Sequence, residues 1–214
     1  MTPVILGTAA AGLLLIKHLD RDIEPPDGIK ACLLAAGVTG GALLEWIFGP
    51  GEFLSRLLLA MHFGCLLLAC ATDVVICRVY NLGWWIGGAV SAMLLWRRLW
   101  LSDGPGDSVG ILVDLTVFCV IQLKLFGRLY GKADCYAFCV CAVAGAGIGM
   151  GLELFMTHMA LAYVLLVPVQ YTKRNINKGG KLKKPVPFLP YITAAFYLLM
   201  IFGKICGEIV VPLS

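Results

Sequence analysis

Two aspartates, Asp73 and Asp134, lie where long apolar runs of the sequence end or begin. Asp73 follows the apolar run 53–71, and Asp134 directly precedes the run 135–150. Ionisable groups at membrane depth are costly, so residues in such positions are candidates for function. Two carboxyl groups a few ångströms apart share one proton, and the pair can both activate water and polarise a carbonyl group. The two aspartates therefore predict the acid–base chemistry of peptide hydrolysis, provided that the fold brings them together.

Each aspartate also has a simpler interpretation. Asp134 would serve as the N-cap of the helix that follows it, since Asp is a favoured residue there and suits the positive end of a helix. Asp73 lies at the unfavourable, negative end of its helix, and Arg78 is an available ion-pair partner five residues later. Gly131 would let the backbone closely approach a neighbouring segment or an extended substrate.

The composition determines the kind of fold that must position these residues. The 214 residues are 60% hydrophobic and only 14% charged, with a mean hydropathy of +0.88. A soluble domain is about half apolar and one quarter charged, and a membrane helix needs about 20 apolar residues. We predict an all-α, polytopic transmembrane helical bundle, one membrane domain over 1–214 with no soluble domain. The predicted spans, about eight, are 3–16, 31–48, 53–72, 82–101, 109–126, 134–150, 152–171 and 188–211.

Loop charges predict the orientation of this bundle, because basic residues are enriched in cytoplasmic loops. With eight spans, four basic regions fall on one side, which we therefore expect to be cytoplasmic, with both termini outside. Asp73 and Asp134 then lie at the same, cytoplasmic face. The cytoplasmic basic residues are Lys17, Arg21, Lys30, Arg78, Lys124, Arg128, Lys132, Lys173, Arg174, Lys178, Lys181, Lys183 and Lys184, and the outer ones are Arg56, Arg97, Arg98 and Lys204.

Other chemistry-bearing residues form no recognisable motif. The nine cysteines contain no C-x-x-C pair, and the three histidines form no H-E-x-x-H pattern. We therefore predict no metal and no cofactor. Asp114 lies within the fifth span, where we expect a polar contact between helices rather than a part in catalysis.

Three short motifs, separated by apolar segments, contain the two aspartates and a proline-rich helix start. The three motifs follow one another along the chain, with apolar segments between them. They are Asp73 with Arg78-Val79-Tyr80-Asn81, then Gly131-Lys132-Ala133-Asp134, and then Pro187-Phe188-Leu189-Pro190-Tyr191.

In their order and in the membrane segments between them, these motifs resemble those of the type IV prepilin peptidases, a family of GxGD-type intramembrane aspartic proteases. The resemblance covers 53–202, and 1–50 would form two additional N-terminal spans. It implies that Asp73 and Asp134 are the catalytic pair. The supporting motif residues that it implies are Arg78, Asn81, Gly131, Lys132, Ala133, Pro187, Phe188 and Pro190.

The resemblance also implies a substrate and a location. The substrate would be a prepilin, cut between its basic leader and its hydrophobic helix at the cytoplasmic face of the bacterial inner membrane. The expected partners are this substrate and membrane lipid, without nucleic acid, and the oligomeric state stays open.

The chain departs from the family pattern at several positions. Ala133 replaces the second glycine of the Gly-x-Gly-Asp motif, Tyr80 replaces a proline, and Leu189 replaces a glycine. The segment 17–30 contains no cysteine, whereas bifunctional members bind zinc there through four cysteines. The chain therefore resembles the shorter, peptidase-only members of Flp/Tad pilus systems, and we do not expect methyltransferase activity.

A second class of function is open to a chain of this composition. A small proton-coupled transporter or scaffold would place Asp114 and Asp73 along one pathway through the membrane. Transporters of this kind are commonly built from internal repeats, and the sequence has no evident repeat.

Overall fold

The computed structural model describes residues 1–19, 26–48, 52–101, 104–128, 131–176 and 186–206. These residues form eight α-helices and one short 3₁₀ helix, without a β-strand among them. The predicted all-α fold class is therefore confirmed. The helices are α1 (Thr2–Leu19), α2 (Asp27–Ile47), α3 (Phe53–Ile76), α4 (Asn81–Leu101), α5 (Pro105–Lys124), α6 (Lys132–Gly147), α7 (Leu152–Ile176) and α8 (Leu189–Cys206), with the 3₁₀ helix Phe126–Arg128 after α5.

Five helices among the described residues are long and apolar enough to cross a membrane. They are α2, α3, α5 with the 3₁₀ helix, α7 and α8. Helix α6 has 16 residues, a length of about 24 Å, which is less than the roughly 30 Å of a bilayer core. The predicted count of about eight spans, and the outer location of both termini, stay predictions.

The ends of two helices differ from the predicted spans for local reasons. Helix α3 continues through the apolar residues after Asp73 and ends at Cys77, whose φ of 53° gives a left-handed cap. Helix α5 begins at Pro105, earlier than residue 109, because proline is well suited to the first helical turn. Asp73 therefore lies inside the last turn of α3 and not beyond it.

Helix α3 forms the centre of the bundle. All of its residues from His62 to Thr72 are buried, as expected for a helix that is apolar on every face. It packs against α1, α2, α4 and α8. Small residues permit the closest approach: a Cβ atom added at Gly64 would lie 2.8 Å from the backbone oxygen of Ile5.

The direction of the helices decides which ends meet. Along α3 and α8, Phe63 contacts Phe196, Cys70 contacts Thr193, and Asp73 contacts Leu189. The two helices are therefore antiparallel, and α8 begins where α3 ends. Helix α6 also begins at this end, because Asp134 interacts electrostatically with Asp73. We call this the dyad end of the bundle.

An ionic cluster occupies the opposite end. Arg97 of α4 lies 2.9 Å from the carboxylate of Glu52, which precedes α3 and is 4% exposed. Ser55 donates a hydrogen bond to Glu52 at 2.9 Å and accepts one from Arg97 at 2.6 Å. The cluster joins the start of α3 to the end of α4.

Candidate active site

Asp73 is held by the first backbone groups of α8. Its Oδ2 atom accepts a hydrogen bond from the backbone N–H of Leu189 at 3.2 Å, and its carboxylate accepts a second from the backbone N–H of Phe188. The first N–H groups of a helix lack partners within the helix and carry partial positive charge, so a helix start binds anions readily. Asp73 takes the place of that anion, and the carboxylate is held in position by backbone groups.

Asp134 is positioned by the start of α6. Gly131 is the N-cap residue, and its backbone oxygen accepts hydrogen bonds from the N–H groups of Asp134 and Cys135 at 3.0 and 3.3 Å. Asp134 is thus the third helical residue, and the interpretation of Asp134 as N-cap is wrong. Its carboxylate instead reaches back to the backbone N–H of Gly131, in the manner of the third residue of a capping box.

Gly131 leaves space for the carboxylate of Asp134. A Cβ atom added at Gly131 would lie 3.2 Å from Oδ2 of Asp134, and no other atom of the described residues lies within 4 Å. In the described part of the chain no second segment comes close to Gly131, and the close approach of an extended substrate stays a prediction. The φ of −62° at Gly131 is accessible to any residue, so the need for glycine is one of space.

The two carboxyl groups face the same region at the dyad end. Both side chains are partly buried, and the charge of Asp73 acts on Asp134. Each carboxylate accepts backbone hydrogen bonds from the start of a helix, α8 for Asp73 and α6 for Asp134. The structure therefore places both carboxyl groups at one end of the bundle, where the charge of one acts on the other.

The proline-rich motif forms the start of α8, which binds Asp73, and packs it against neighbouring helices. The ring of Phe188 is 7% exposed and packs against Phe138 and Tyr163, with ring centroids 5.9 and 5.2 Å apart. Pro190 follows in the first turn of α8, where its lack of an N–H group leaves no hydrogen bond unmade. Pro187 precedes this start and is partly buried. The motif therefore anchors the helix start that holds Asp73.

Leu189 is a site residue that the sequence reasoning did not identify. Its side chain, 1% exposed, is part of the core, while its backbone N–H contacts Asp73. Because the contact is made by the backbone, the replacement of a glycine by leucine at this position does not remove it. The signal in the sequence is the Pro-Phe-Leu-Pro pattern, which marks the start of a helix and so a set of free N–H groups.

The remaining motif residues lie at the dyad end without touching the carboxylates. Arg78 and Asn81 are exposed, as is Lys132, and Ala133 is partly buried. Within the described part of the chain, no ion pair joins Arg78 to Asp73, so that interpretation of Arg78 is wrong. The left-handed backbone at Cys77 ends α3 between the two residues.

Asp114 lies far from the carboxylate pair. Its Oδ2 atom accepts a hydrogen bond from the backbone N–H of Leu152 at 3.4 Å, at the start of α7. That helix start is at the end of the bundle opposite Asp73. The polar contact predicted between helices is confirmed, and Asp114 and Asp73 do not line a common site.

The buried histidines are also bound within the core. His62 pairs with Ser91 through Nδ1 at 2.9 Å, and His158 lies 2.9 Å from the backbone oxygen of Ile192. Both rings pack against Phe196. No group of three or more His, Cys, Asp or Glu side chains in the described ranges could hold a metal ion.

Several residues used to predict the orientation lie outside the described residues. Five of them come from the segments after α1 and α7, and two lie in the last turns of α7, where only the backbone is described. These residues are Arg21, Lys178, Lys181, Lys183 and Lys184, with the side chains of Lys173 and Arg174.

Comparisons with protein-family models, with curated proteins and with solved structures gave no match to this chain. The resemblance to prepilin peptidases accordingly rests on the three motifs themselves. Each motif contributes to the dyad end: the first and second supply the carboxylates, and the third supplies the N–H donors to Asp73.

Proposed function

We propose that this protein is an intramembrane aspartic endopeptidase in which Asp73 and Asp134 form the catalytic pair. The observation that carries the proposal is the meeting of three distant motifs. The start of α8 donates two hydrogen bonds to Asp73, whose charge in turn acts on Asp134. A merely structural aspartate near the end of α3 would need no second carboxyl group beside it, since like charges repel.

In the proposed reaction, the pair holds one proton between its two carboxyl groups. The carboxylate accepts a proton from a water molecule as the water oxygen attacks the carbonyl carbon of the peptide. The protonated carboxyl group donates its proton to the carbonyl oxygen at the same time. The tetrahedral intermediate then collapses and the C–N bond breaks. The protonated carboxyl group gives its proton to the leaving amine, and the other carboxylate accepts a proton from a hydroxyl group of the intermediate, so the pair again holds one proton. No covalent enzyme intermediate is formed.

The backbone donors give this pair a fixed geometry. Hydrogen bonds from Phe188 and Leu189 hold Asp73, and the N–H of Gly131 holds Asp134. Donors that belong to helix starts do not have to reorient during the reaction, which is the general advantage of preorganised sites. The helices α3, α6 and α8 thus position the residues of the proposed site. The helices α1 and α2 contain none of the three motifs.

The proposed substrate follows from the resemblance in the motifs. It is a prepilin of the Flp/Tad type, with a short basic leader followed by a hydrophobic helix. The cut would be made at the cytoplasmic face of the bacterial inner membrane, with the dyad end on that side. The apolar part of such a substrate matches a protease with membrane-spanning helices, because its helix stays in the bilayer while the leader reaches the carboxylates.

Co-expression with a prepilin tests this function directly. We expect the mass of the pilin to fall by the mass of its leader when this protein is present. A prepilin with a substitution at the cleavage position is the matched substrate control and should keep its full mass. If the folded, membrane-inserted protein cleaves none of the prepilins of the same genome, the proposed substrate class is contradicted.

A further inference from the structure

An apolar groove separate from the carboxylate pair lies between α1, α3 and α4. Its volume is about 290 Å³, and its walls include Gly12 and Ile16 of α1, Leu68 of α3, and Gly83 of α4. Thr8 and the thiol-bearing Cys65 supply its few polar groups. The groove starts near the dyad end, where α1 and α3 end and α4 begins, and extends along these helices.

Gly83 shows that the described part of the chain does not fill this space. The residue is buried, yet a Cβ atom added there would meet no atom within 4 Å among the described residues. Close-packed protein interiors rarely leave such space beside a buried backbone. A ligand that fills the groove would restore the contacts that its walls lack.

The size of the groove indicates the shape of its occupant. An apolar cavity of about 150 Å³ binds benzene, so about 290 Å³ holds a ligand of about a dozen carbon atoms. One turn of an α-helix about 10 Å wide and 5.4 Å long occupies roughly 400 Å³, more than the groove provides. The groove therefore suits an acyl chain and is too small for a helix of a second protein.

A basic residue follows the groove at the end that faces the dyad end. Ile16 and Leu68 form a small buried cluster, against which Ile76 and Tyr80 pack. Arg78 lies between Ile76 and Tyr80 in the sequence, and its side chain is exposed. It supplies positive charge at this end of the groove, where the headgroup of a lipid in the groove would lie.

We propose that this groove binds one anionic phospholipid, with an acyl chain between α1, α3 and α4 and its phosphate beside Arg78. The site does not depend on the proposed protease activity, because none of its groove residues belongs to the carboxylate pair. Apolar walls set the position of the chain, and the positive charge of Arg78 selects a headgroup with net negative charge.

Native mass spectrometry of the full chain in detergent tests the site with two probes, phosphatidylglycerol and phosphatidylcholine of the same acyl composition. One basic residue near a membrane surface is worth about 1 kcal/mol, or about fivefold in affinity. We expect one phosphatidylglycerol to be retained at least fivefold more tightly than phosphatidylcholine. Arg78→Gln should lower this preference about fivefold. Equal retention of both lipids would overturn the proposal.

Two glycines of the same helix give a matched pair of groove variants. Gly83→Leu fills the groove and should weaken phosphatidylglycerol binding at least tenfold. Gly88→Leu adds the same side chain at another open position of α4 that does not line the groove, and should bind as the wild type does. Full binding by a folded Gly83→Leu protein would overturn the proposal.

A photoreactive phosphatidylglycerol provides a readout that needs no variant. A diazirine near the end of its acyl chain should label peptides of α1, α3 and α4 that contain the groove residues, in wild-type protein. Labelling confined to other faces of the bundle would overturn the site. Unlabelled phosphatidylglycerol should reduce this labelling. If a synthetic apolar helix reduces the labelling and unlabelled phosphatidylglycerol does not, the groove binds a peptide, and the proposed lipid site is overturned.

Discussion

The backbone N–H of Leu189 lies 3.2 Å from Oδ2 of Asp73, although 116 residues separate the two in the chain. This hydrogen bond joins the end of α3 to the start of α8. It also explains how a carboxylate can lie near the negative end of its own helix: the positive end of a second helix compensates it. The contact makes α8 part of the candidate active site.

Removing this donor should reduce activity while leaving the carboxylate pair intact. Leu189→Pro deletes the N–H group, and proline is accepted at the first position of a helix. A hydrogen bond to a charged group contributes about 1.5–3 kcal/mol, so we expect leader cleavage to slow about tenfold to a hundredfold. The measurement is the rate of prepilin cleavage in membranes that contain equal amounts of folded protein.

Leu189→Ala is the matched control for this variant. It loses most of the buried side chain but keeps the N–H group, so its cleavage rate should exceed that of Leu189→Pro at least fivefold in folded protein. Equal rates for the two variants would mean that the hydrogen bond to Asp73 has no part in the reaction.

Gly131→Ala should disturb Asp134 without changing the fold. The new methyl group would lie 3.2 Å from Oδ2 of Asp134, so the carboxylate has to move by a few tenths of an ångström. Misplacement of a reacting group by about 1 Å can cost about a hundredfold in rate, and we expect about a tenfold loss here. The cleavage rate and the thermal unfolding midpoint are measured together, and the midpoint should change little.

Gly127→Ala tests whether a methyl group added at another nearby glycine slows cleavage as much as one added at Gly131. Its Cβ atom would lie 3.8 Å from its nearest neighbours, an ordinary van der Waals distance. This variant should cleave at the wild-type rate. If Gly127→Ala loses as much activity as Gly131→Ala, the space beside Asp134 is not the reason for the glycine.

How much of this arrangement the sequence reveals depends on the type of contact. Apolar runs predict the all-α fold, and their order predicts that Asp73 and Asp134 share one end. The hydrogen bond from Leu189 is made by a backbone group of a residue whose side chain is buried in the core. The Pro-Phe-Leu-Pro pattern therefore predicts a helix start with free N–H groups, but not that Asp73 binds them. Likewise, Asp134 matches the N-cap preference, but the preceding Gly131 takes that position and leaves the carboxylate free to fold back.

Helix ends were predicted least well, for a physical reason. Hydropathy alone does not distinguish a charged residue that ends a helix from one inside its last turn. Helix α3 continues past Asp73 because the carboxylate finds its hydrogen bonds in α8, a distant segment. Only the three-dimensional packing of α3 against α8 supplies that partner.

The ionic cluster at the opposite end predicts a large effect on stability. Arg97→Met would leave the carboxylate of Glu52, which is 4% exposed, with the hydrogen bond from Ser55 but without its cationic partner. Breaking a buried pair from one side costs about 3–5 kcal/mol, so we expect the free energy of unfolding to fall by about 3 kcal/mol. Reversible unfolding in mixed micelles measures this change.

The double variant Glu52→Gln with Arg97→Met controls for the size of the new side chain. It removes both charges, so it should recover most of the stability that Arg97→Met loses. A double variant that is as unstable as Arg97→Met alone would assign the loss to packing and not to the unpaired carboxylate.

The most direct test of the proposed reaction replaces each carboxyl group of the pair by an amide. Asp73→Asn and Asp134→Asn keep the size of the side chain but cannot hold the shared proton, while Asp114→Asn changes an aspartate at the opposite end. Wild type and the three variants are co-expressed with a prepilin, and leader removal is followed by mass. We expect cleavage by wild type and by Asp114→Asn, and none by Asp73→Asn or Asp134→Asn. Cleavage at the wild-type rate by either of these two variants would contradict the catalytic pair.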